Sequence, residues 1–219
     1  MKRLITIIAT GILALMLLLP SSSSAAGIKG GFKVGATSAK LYGDDVTAFE
    51  DDLGEDFKSR LGFSAGAFIT LNIVEMFAIQ PEVLYTMKGL TYEEEIMGET
   101  LKLWMKLDYL EIPVLVKVMM GSQGSIKPCI FAGPAVAIKI SGKVKATYAG
   151  DSAEEDIEDL KSTDFGLVVG AGIDFGIGAP GTSSFSIDFR YSMGLSSISE
   201  FEGEDVKNGA FSLMLGFSF

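Results

Sequence analysis

Apolar and polar residues alternate along the last 35 residues of the chain. Every odd position from Phe185 to Leu195 is apolar, and the even positions between them are Ser, Asp, Arg and Gly. After an acidic interruption, the same alternation returns from Phe211 to Phe219. Successive side chains of a β-strand point to opposite faces, so a period of two predicts extended strands with one apolar face.

The other face of these strands carries small residues. Between residues 164 and 176, four of its seven positions are glycine. Glycine packs no side chain, so its repetition on one face indicates that space is scarce there, as it is inside a closed eight-stranded barrel. The small face is therefore interpreted as the lumen, and the Phe/Ile/Leu face as the surface that meets lipid. The alternative is a soluble lipocalin-like barrel whose apolar face points inward and binds a small apolar ligand.

We predict an all-β fold: an eight-stranded antiparallel up-and-down transmembrane β-barrel. Three connections are short, at residues 72–76, 120–126 and 178–183, and four are long, at residues 38–60, 92–104, 145–162 and 199–207. Outer-membrane barrels have short periplasmic turns and long extracellular loops, so both termini are expected in the periplasm. The predicted strands are residues 28–37, 61–71, 77–91, 105–119, 127–144, 163–177, 184–198 and 208–219.

The chain begins with the pattern of a secretory leader. Lys2 and Arg3 precede an apolar run over residues 4–19, which Pro20 ends, and Ser and Ala follow up to Ala26. A basic start, a short apolar segment and small residues at the exit predict a signal peptide. We expect cleavage after Ala26, a barrel domain over residues 27–219, and localisation in the outer membrane of a Gram-negative bacterium.

Charge is distributed unevenly between the predicted strands and loops. Without Lys2 and Arg3, the chain has 16 basic and 28 acidic residues, a net charge of −12. The four long loops together carry −14, so the barrel itself is close to neutral. A chain this acidic is not expected to bind nucleic acid, whose affinity depends on Lys and Arg contacts with phosphates.

Charged residues inside the predicted strands fall mostly on the lumenal face. Five are basic and four acidic, so they can nearly neutralise one another where an unpaired charge is costly. We interpret them as a structural plug of salt bridges; the alternative is a proton or ion path or a narrow passive pore. The lone Cys129 lies on the same face, where it is expected to be inert. The predicted network is Lys33, Glu82, Lys88, Glu111, Lys117, Lys139, Asp174, Asp188 and Arg190.

The acidic loops offer oxygen ligands that suit Ca²⁺ or Mg²⁺, although no loop has the spacing of a dedicated calcium site. In the first interpretation, the loops form an acidic rim that is solvated by water. In the alternative, a divalent cation links their carboxylates to anionic lipid head groups. The chain contains no histidine, so we expect neither catalytic residues nor an enzyme, and no cofactor. The weak metal candidates are Asp44, Asp45, Asp51, Asp52, Glu93, Glu94, Glu95, Glu154, Glu155 and Asp156.

Two sequence features interrupt the regular pattern. Pro81, Pro113 and Pro134 lie inside predicted strands, and proline cannot donate to a strand ladder, so bulges are expected there. The apolar phase of residues 101–108 is also opposite to that of residues 110–118. This inversion predicts an extra residue near Asp108 and Tyr109.

Two central segments, QPEVLYTMKG at residues 80–89 and LDYLEIPVLVK at residues 107–117, carry a family resemblance. With GIKGG at residues 27–31, FAGP at residues 131–134 and the terminal FSF, they resemble the PorT-type family of outer-membrane β-barrel proteins. The resemblance implies an eight-stranded barrel, with Phe217 and Phe219 in a C-terminal signal for the barrel-assembly machinery. The expected partners are that machinery and outer-membrane lipid. The extracellular partner is unknown, and the expected role is structural or surface-binding.

Overall fold

The structure, a computed structural model, describes residues 27–53, 57–96, 98–121, 125–157, 159–177, 183–201 and 203–219. The predicted leader therefore lies outside the described residues. Nine strands and one helix are present in this part of the chain. They are β1 (Ile28–Tyr42), α1 (Asp44–Leu53), β2 (Lys58–Val74), β3 (Phe77–Ile96), β4 (Glu99–Met119), β5 (Ile126–Tyr148), β6 (Asp151–Asp156), β7 (Thr163–Ile177), β8 (Ser183–Gly194) and β9 (Lys207–Ser218).

Eight of the strands close into an antiparallel ring. Its order is β1–β2–β3–β4–β5–β7–β8–β9, and β9 pairs with β1 over twelve residue pairs, from Gly31 with Ser218 to Tyr42 with Lys207. Closure gives every strand two neighbours, so the backbone polar groups are satisfied within the protein even in hydrocarbon. The predicted eight-stranded up-and-down transmembrane barrel is confirmed. No helix in the described ranges is long and apolar enough to cross a bilayer.

The two faces of the barrel wall are oriented as the alternation predicts. Along β9, Phe211, Leu213, Leu215 and Phe217 are exposed, whereas the residues between them are buried. The soluble lipocalin-like alternative needs this apolar face inside, so it is wrong. The face forms an outward apolar belt that also includes Phe32, Val34, Val116, Ile130, Phe165 and Phe189.

Glycines on the inner wall make room for two aromatic rings. A Cβ on Gly31 would lie 2.5 Å from the ring of Phe68, and a Cβ on Gly170 would lie 2.5 Å from the ring of Phe131. Both separations are well below van der Waals contact, so larger residues would displace the rings. The small lumenal face predicted from sequence therefore follows from the narrow interior.

On the extracellular side, four strands rise above the rest of the ring. β3 and β4 pair as far as Ile96 with Glu99. β5 pairs with β7 only up to Thr163, the first residue of β7, and beyond this point it pairs with β6. The predictions of long loops at residues 92–104 and 145–162 are thus wrong over much of their length. The predicted strand over residues 184–198 is also too long, because β8 ends at Gly194. We call β3, β4, β5 and β6 above this level the extracellular extension.

The inverted apolar phase of β4 has a different cause from the one predicted. Leu107 and Tyr109 are both buried, so the alternation of β4 is unbroken. The extra residue is on the partner strand, because Asp108 pairs with Ser141 and Tyr109 with Lys139, which leaves out Ile140. Above the membrane the outside is water, so the apolar residues of the same strand now face inward.

The three prolines leave the strand registers unchanged. Pro113 pairs with Ala135 and Val116 pairs with Ala132, which is the same offset. Pro81 and Pro134 also sit in ladders of constant offset. The predicted bulges at the prolines are wrong: strands paired on both sides hold the register although one donor is missing.

An arginine in the apolar belt should be far more costly than one at equal exposure above the membrane. Phe189 lies midway along β8 and is 55% exposed, whereas Phe201, on the extracellular side, is 57% exposed. We expect Phe189→Arg to lower the unfolding free energy by about 2–4 kcal/mol, the cost of Arg near the bilayer midplane. Phe201→Arg is the matched control and should be nearly neutral.

The measurement is a urea titration of the folded fraction in lipid vesicles, read from the faster mobility of the unheated barrel in SDS. Equal losses of stability in the two variants would mean that Phe189 does not face lipid.

Candidate functional site

Four charged side chains form a closed cluster in the middle of the lumen. Lys33 Nζ of β1 donates to Glu82 Oε1 of β3 at 2.8 Å and to Asp188 Oδ2 of β8 at 2.5 Å. Arg190 of β8 reaches the same two carboxylates, at 2.6 Å from Nη1 to Glu82 Oε2 and 3.4 Å from Nη2 to Asp188 Oδ2. All four residues are at most 3% exposed. We call these residues the lumenal tetrad.

The two lumenal rings support the cations of the tetrad. Lys33 Nζ lies 4.9 Å from the ring centre of Phe68, and the Arg190 guanidinium lies 5.3 Å from that of Phe131. A cation within about 6 Å of an aromatic face is attracted by the ring quadrupole, most strongly where water is excluded. Gln80 adds a hydrogen bond to Glu82 Oε1 at 2.7 Å. The tetrad is thus balanced in charge and supported by its packing.

The other predicted lumenal residues form pairs above and below the tetrad. Lys88 contacts Glu111 at 3.2 Å, and Lys117 contacts Asp174 at 2.8 Å. Lys139 instead donates to the backbone carbonyl of Leu160. The structure therefore places the nine predicted residues in three ion-paired groups and one backbone contact.

Two buried polar groups do not belong to the predicted lumenal network. Asp164 accepts a hydrogen bond from Asn208 at 2.9 Å, and Asn208 also donates to the Tyr109 hydroxyl at 3.1 Å. Arg60 is buried, donates to the Lys88 carbonyl and lies 3.6 Å from Asp108. The alternation on β7 placed Asp164 on the inner face, but Arg60 was assigned to a loop and gave no signal.

With Asp164 added, the predicted lumenal residues become five basic and five acidic, and the additional buried base Arg60 has a carboxylate partner in Asp108. The side chains fill the lumen so closely that the cavity beside Lys88, Glu111 and Asp164 measures about 10 Å³, roughly the space of one water molecule. A neutral, packed interior suits a plug, because an unpaired buried charge would cost several kcal/mol.

Two of the acidic loop candidates hold the extracellular extension together. Glu93 pairs with Lys102 at 2.8 Å and Lys58 at 2.9 Å, and Glu154 pairs with Lys106 at 2.7 Å and Lys143 at 2.9 Å. The hydrogen bonds from these lysines are the main reason that the pKa of each carboxyl is lowered to about 2.

The remaining acidic candidates lie mostly at the surface. Asp44, Asp45, Asp51 and Asp52 are exposed on α1. The exposed candidates on the extension are Glu95, Glu155 and Asp156, and the half-buried Glu94 accepts a hydrogen bond from Tyr92 at 3.1 Å.

The described part of the chain brings three metal-ligating side chains together at a place the sequence analysis did not select. Cys129, Asp174 and Asp188 each offer one ligand atom, and these atoms lie within 4.8 Å of one another in the lumen.

The predicted C-terminal signal residues lie on the outer face. Phe217 and Phe219 are exposed and their ring centres are 6.3 Å apart. The Phe219 ring is 6.0 Å from that of Phe32 on β1, and its backbone N–H donates to Gly30 at 2.9 Å. The terminus thus completes the seam that closes the ring; its role in assembly stays a prediction.

The closed ring, its apolar belt and its acidic extracellular side define an outer-membrane β-barrel protein. Residues 20–200 match the model of the outer membrane protein beta-barrel domain family, and the chain belongs to that family. A comparison with curated protein sequences gave no match.

Solved barrels resemble this chain at low sequence identity. Neisserial surface protein A is 15% identical, with 87% of this chain and 97% of that chain covered and a TM-score of 0.46. Ail, the attachment invasion locus protein of Yersinia pestis, is 17% identical, with 88% and 99% covered and a TM-score of 0.43. The outer membrane protease OmpT from Escherichia coli is 9% identical, with 90% and 98% covered and a TM-score of 0.45.

The prediction that the chain is not an enzyme is overturned by this comparison, because the barrels that it resembles include an outer membrane protease. A shared barrel fold hosts different functions, so the fold gives no ground for excluding catalysis.

Removing one carboxylate from the lumenal tetrad should destabilise the barrel strongly. Glu82→Gln leaves Lys33 and Arg190 with one carboxylate between them, so we expect a loss of about 3–5 kcal/mol in unfolding free energy. The double variant Glu82→Gln with Lys33→Met restores charge balance and should recover part of this loss. The measurement is the urea titration described for Phe189.

Glu75→Gln, in the exposed turn between β2 and β3, is the control and should change stability little. Additive losses in the double variant would show that Lys33 and Glu82 do not interact.

Acid should release β6 from the extracellular extension. The Glu154 carboxyl has a lowered folded-state pKa of about 2 against an ordinary 4.5, so its stabilising effect is present above about pH 4.5 and is lost as the pH falls towards 2. We expect the protection of β6 amides against hydrogen exchange, corrected for intrinsic rates, to fall over this range. Glu154→Gln should show the same loss at neutral pH.

Glu155→Gln is the matched control, because its side chain points to the opposite face of β6. Constant protection of the β6 amides from about pH 6 to pH 2 would show that the ion pairs of Glu154 do not hold β6 in place.

Proposed function

We propose that this protein is a closed outer-membrane barrel that presents a rigid acidic surface to a cationic polypeptide outside the cell. The observation that carries the proposal is the separation of charge: lumenal charges neutralise one another in pairs, whereas the net negative charge lies outside the membrane. If the acidic residues served only solubility, they would not have to lie on a helix and strands. Binding residues are commonly exposed residues that a rigid scaffold holds in position.

The helix α1 is the central element of the proposed surface. Its residue Val46 packs into an extracellular apolar core with Leu41, Leu107 and Ile198, so the helix is held against the mouth of the barrel. Asp45 also accepts a hydrogen bond from the backbone N–H of Asp205. The opposite side of the helix therefore stays exposed in a fixed orientation.

One exposed aromatic residue accompanies the acidic ones and contacts rings that are more deeply buried. Phe49 of α1 is exposed, and its ring is 5.9 Å from that of Phe57, which in turn meets Tyr92 at 5.8 Å. A cationic polypeptide carries long aliphatic stems below its charged groups, and such stems pack on apolar rings while the charges meet carboxylates. This combination favours a polypeptide over a simple cation.

The pore alternative has less support. A solute would have to pass the lumenal tetrad, whose four side chains link β1, β3 and β8 across the interior. In planar bilayers the protein is expected to give no conductance steps above noise.

We also infer that the chain falls in the PorT-type branch of its family. The two central motifs that carry this resemblance form β3 and β4, which pair along their full length, from Phe77 with Val118 to Ile96 with Glu99. Membership of this branch does not assign an activity, because a shared fold does not imply a shared function.

The binding test uses the protein in nanodiscs of zwitterionic lipid and an oligolysine peptide as probe. We expect saturable binding that weakens between about 0.05 M and 0.5 M salt, because exposed charges are screened over this range. The double variant Asp51→Asn with Asp52→Asn should weaken binding severalfold. Isothermal titration calorimetry provides the affinities.

Glu75→Gln is again the control, because it removes a negative charge on the periplasmic side. Equal affinity of the α1 variant and the control would contradict the proposed surface and favour a purely structural role for the barrel.

A further inference from the structure

Near the periplasmic end of the lumen, three strands contribute one potential metal ligand each. Cys129 lies three residues after the start of β5, Asp174 three residues before the end of β7, and Asp188 on β8. Their ligand atoms lie within 4.8 Å of one another. The strand registers fix this grouping, because Gly172 of β7 pairs with Cys129 on one side and with Asp188 on the other.

Gly172 lies between Cys129 and Asp188 in the sheet and has no side chain of its own. A Cβ at this position would collide with Asp188 Oδ1, so any larger residue would displace that carboxylate. The side chains of Cys129 and Asp188 therefore lie on either side of Gly172 on the inner wall, and Asp174, two residues along β7, lies on the same face.

One acceptor in this cluster has no hydrogen-bond partner. Asp188 is 1% exposed, and its Oδ2 atom receives the hydrogen bonds of Lys33 and Arg190. Its Oδ1 atom has no hydrogen-bond partner. A buried carboxylate oxygen without a donor is unfavourable, so the site lacks a positively charged or hydrogen-bonding group at this point.

We propose that Cys129, Asp174 and Asp188 bind a divalent metal ion of the zinc class. A thiolate with two carboxylates suits Zn²⁺, which accepts sulfur and oxygen ligands in tetrahedral geometry, whereas Ca²⁺ and Mg²⁺ require oxygen ligands alone. Three protein ligands leave the fourth position to water. Binding converts the Cys129 thiol to thiolate and releases its proton to solvent.

Lys117 occupies the site as a competitor of the metal. Its ammonium lies 2.8 Å from Asp174 Oδ2. The metal therefore replaces one cation with another, and the Lys117 side chain must move away from the ligands. The Asp174 side chain is 18% exposed, which gives the ion a route from the periplasmic side.

The test measures binding of Zn²⁺ by calorimetry, and of Co²⁺ by thiolate-to-metal absorption, to the purified folded barrel in detergent. We expect one equivalent to bind, with a thiolate absorption band for Co²⁺. Cys129→Ser should remove this band and weaken Zn²⁺ binding by roughly 10- to 100-fold or more, since even loss of an outer-shell group has that effect.

Lys117→Met separates this site from adventitious binding. Removal of the positive charge that competes for Asp174 should raise the affinity at least about tenfold, whereas an ion bound to the acidic extracellular surface would not respond. Glu75→Gln is the control and should leave the affinity unchanged. Heat-dependent mobility in SDS identifies the variants that are folded.

Two results would overturn the proposal. One is Co²⁺ binding to the unsubstituted protein without a thiolate band, which needs no variant to fold. The other is unchanged Zn²⁺ affinity in folded Lys117→Met. Either would place the bound ion on the acidic surface instead.

Discussion

The lumenal tetrad is the interaction on which the rest of the barrel depends. An eight-stranded ring has an interior just wide enough for side chains, so charges placed there cannot be hydrated and must be paired. Lys33, Glu82, Asp188 and Arg190 meet this requirement from three strands that are far apart in sequence. Their hydrogen bonds also connect opposite parts of the wall, so loss of a single partner would leave a buried charge unpaired in the lumen.

The small residues of the inner wall follow from the same constraint. Two cations need partners on the sides that the carboxylates do not cover, and Phe68 and Phe131 provide ring faces there. These rings fit only because Gly31 and Gly170 lie beside them. The buried cations need aromatic partners, and the aromatic rings need glycine beside them. This dependence explains why one strand face combines Asp, Arg, Phe and Gly.

Much of the fold could be predicted from the sequence because alternation reports which face meets apolar surroundings. It indicated eight strands and showed which face of the barrel wall points outward. Phe211 to Phe217, for example, alternate with buried residues over a full strand. It failed where the surroundings change along one strand. Leu107 is apolar and inward while Leu110 is apolar and faces out, because the first lies above the membrane and the second within it. The extension was therefore mistaken for loops, and its short strand β6 is polar except for Ala153.

The site residues were predictable only in part, for a related reason. Alternation assigns Cys129 and Asp188 to the inner face but does not show that Gly172 separates them, which requires the register of three strands. It also cannot reveal that the two oxygens of Asp188 have different surroundings. Buried ion pairs are often no more stabilising than apolar residues of the same volume, so stability alone gives little reason to keep four charges in the tetrad. An Asp188 whose Oδ2 belongs to the tetrad and whose Oδ1 faces the proposed metal site supplies such a reason, because the tetrad then holds a ligand in place.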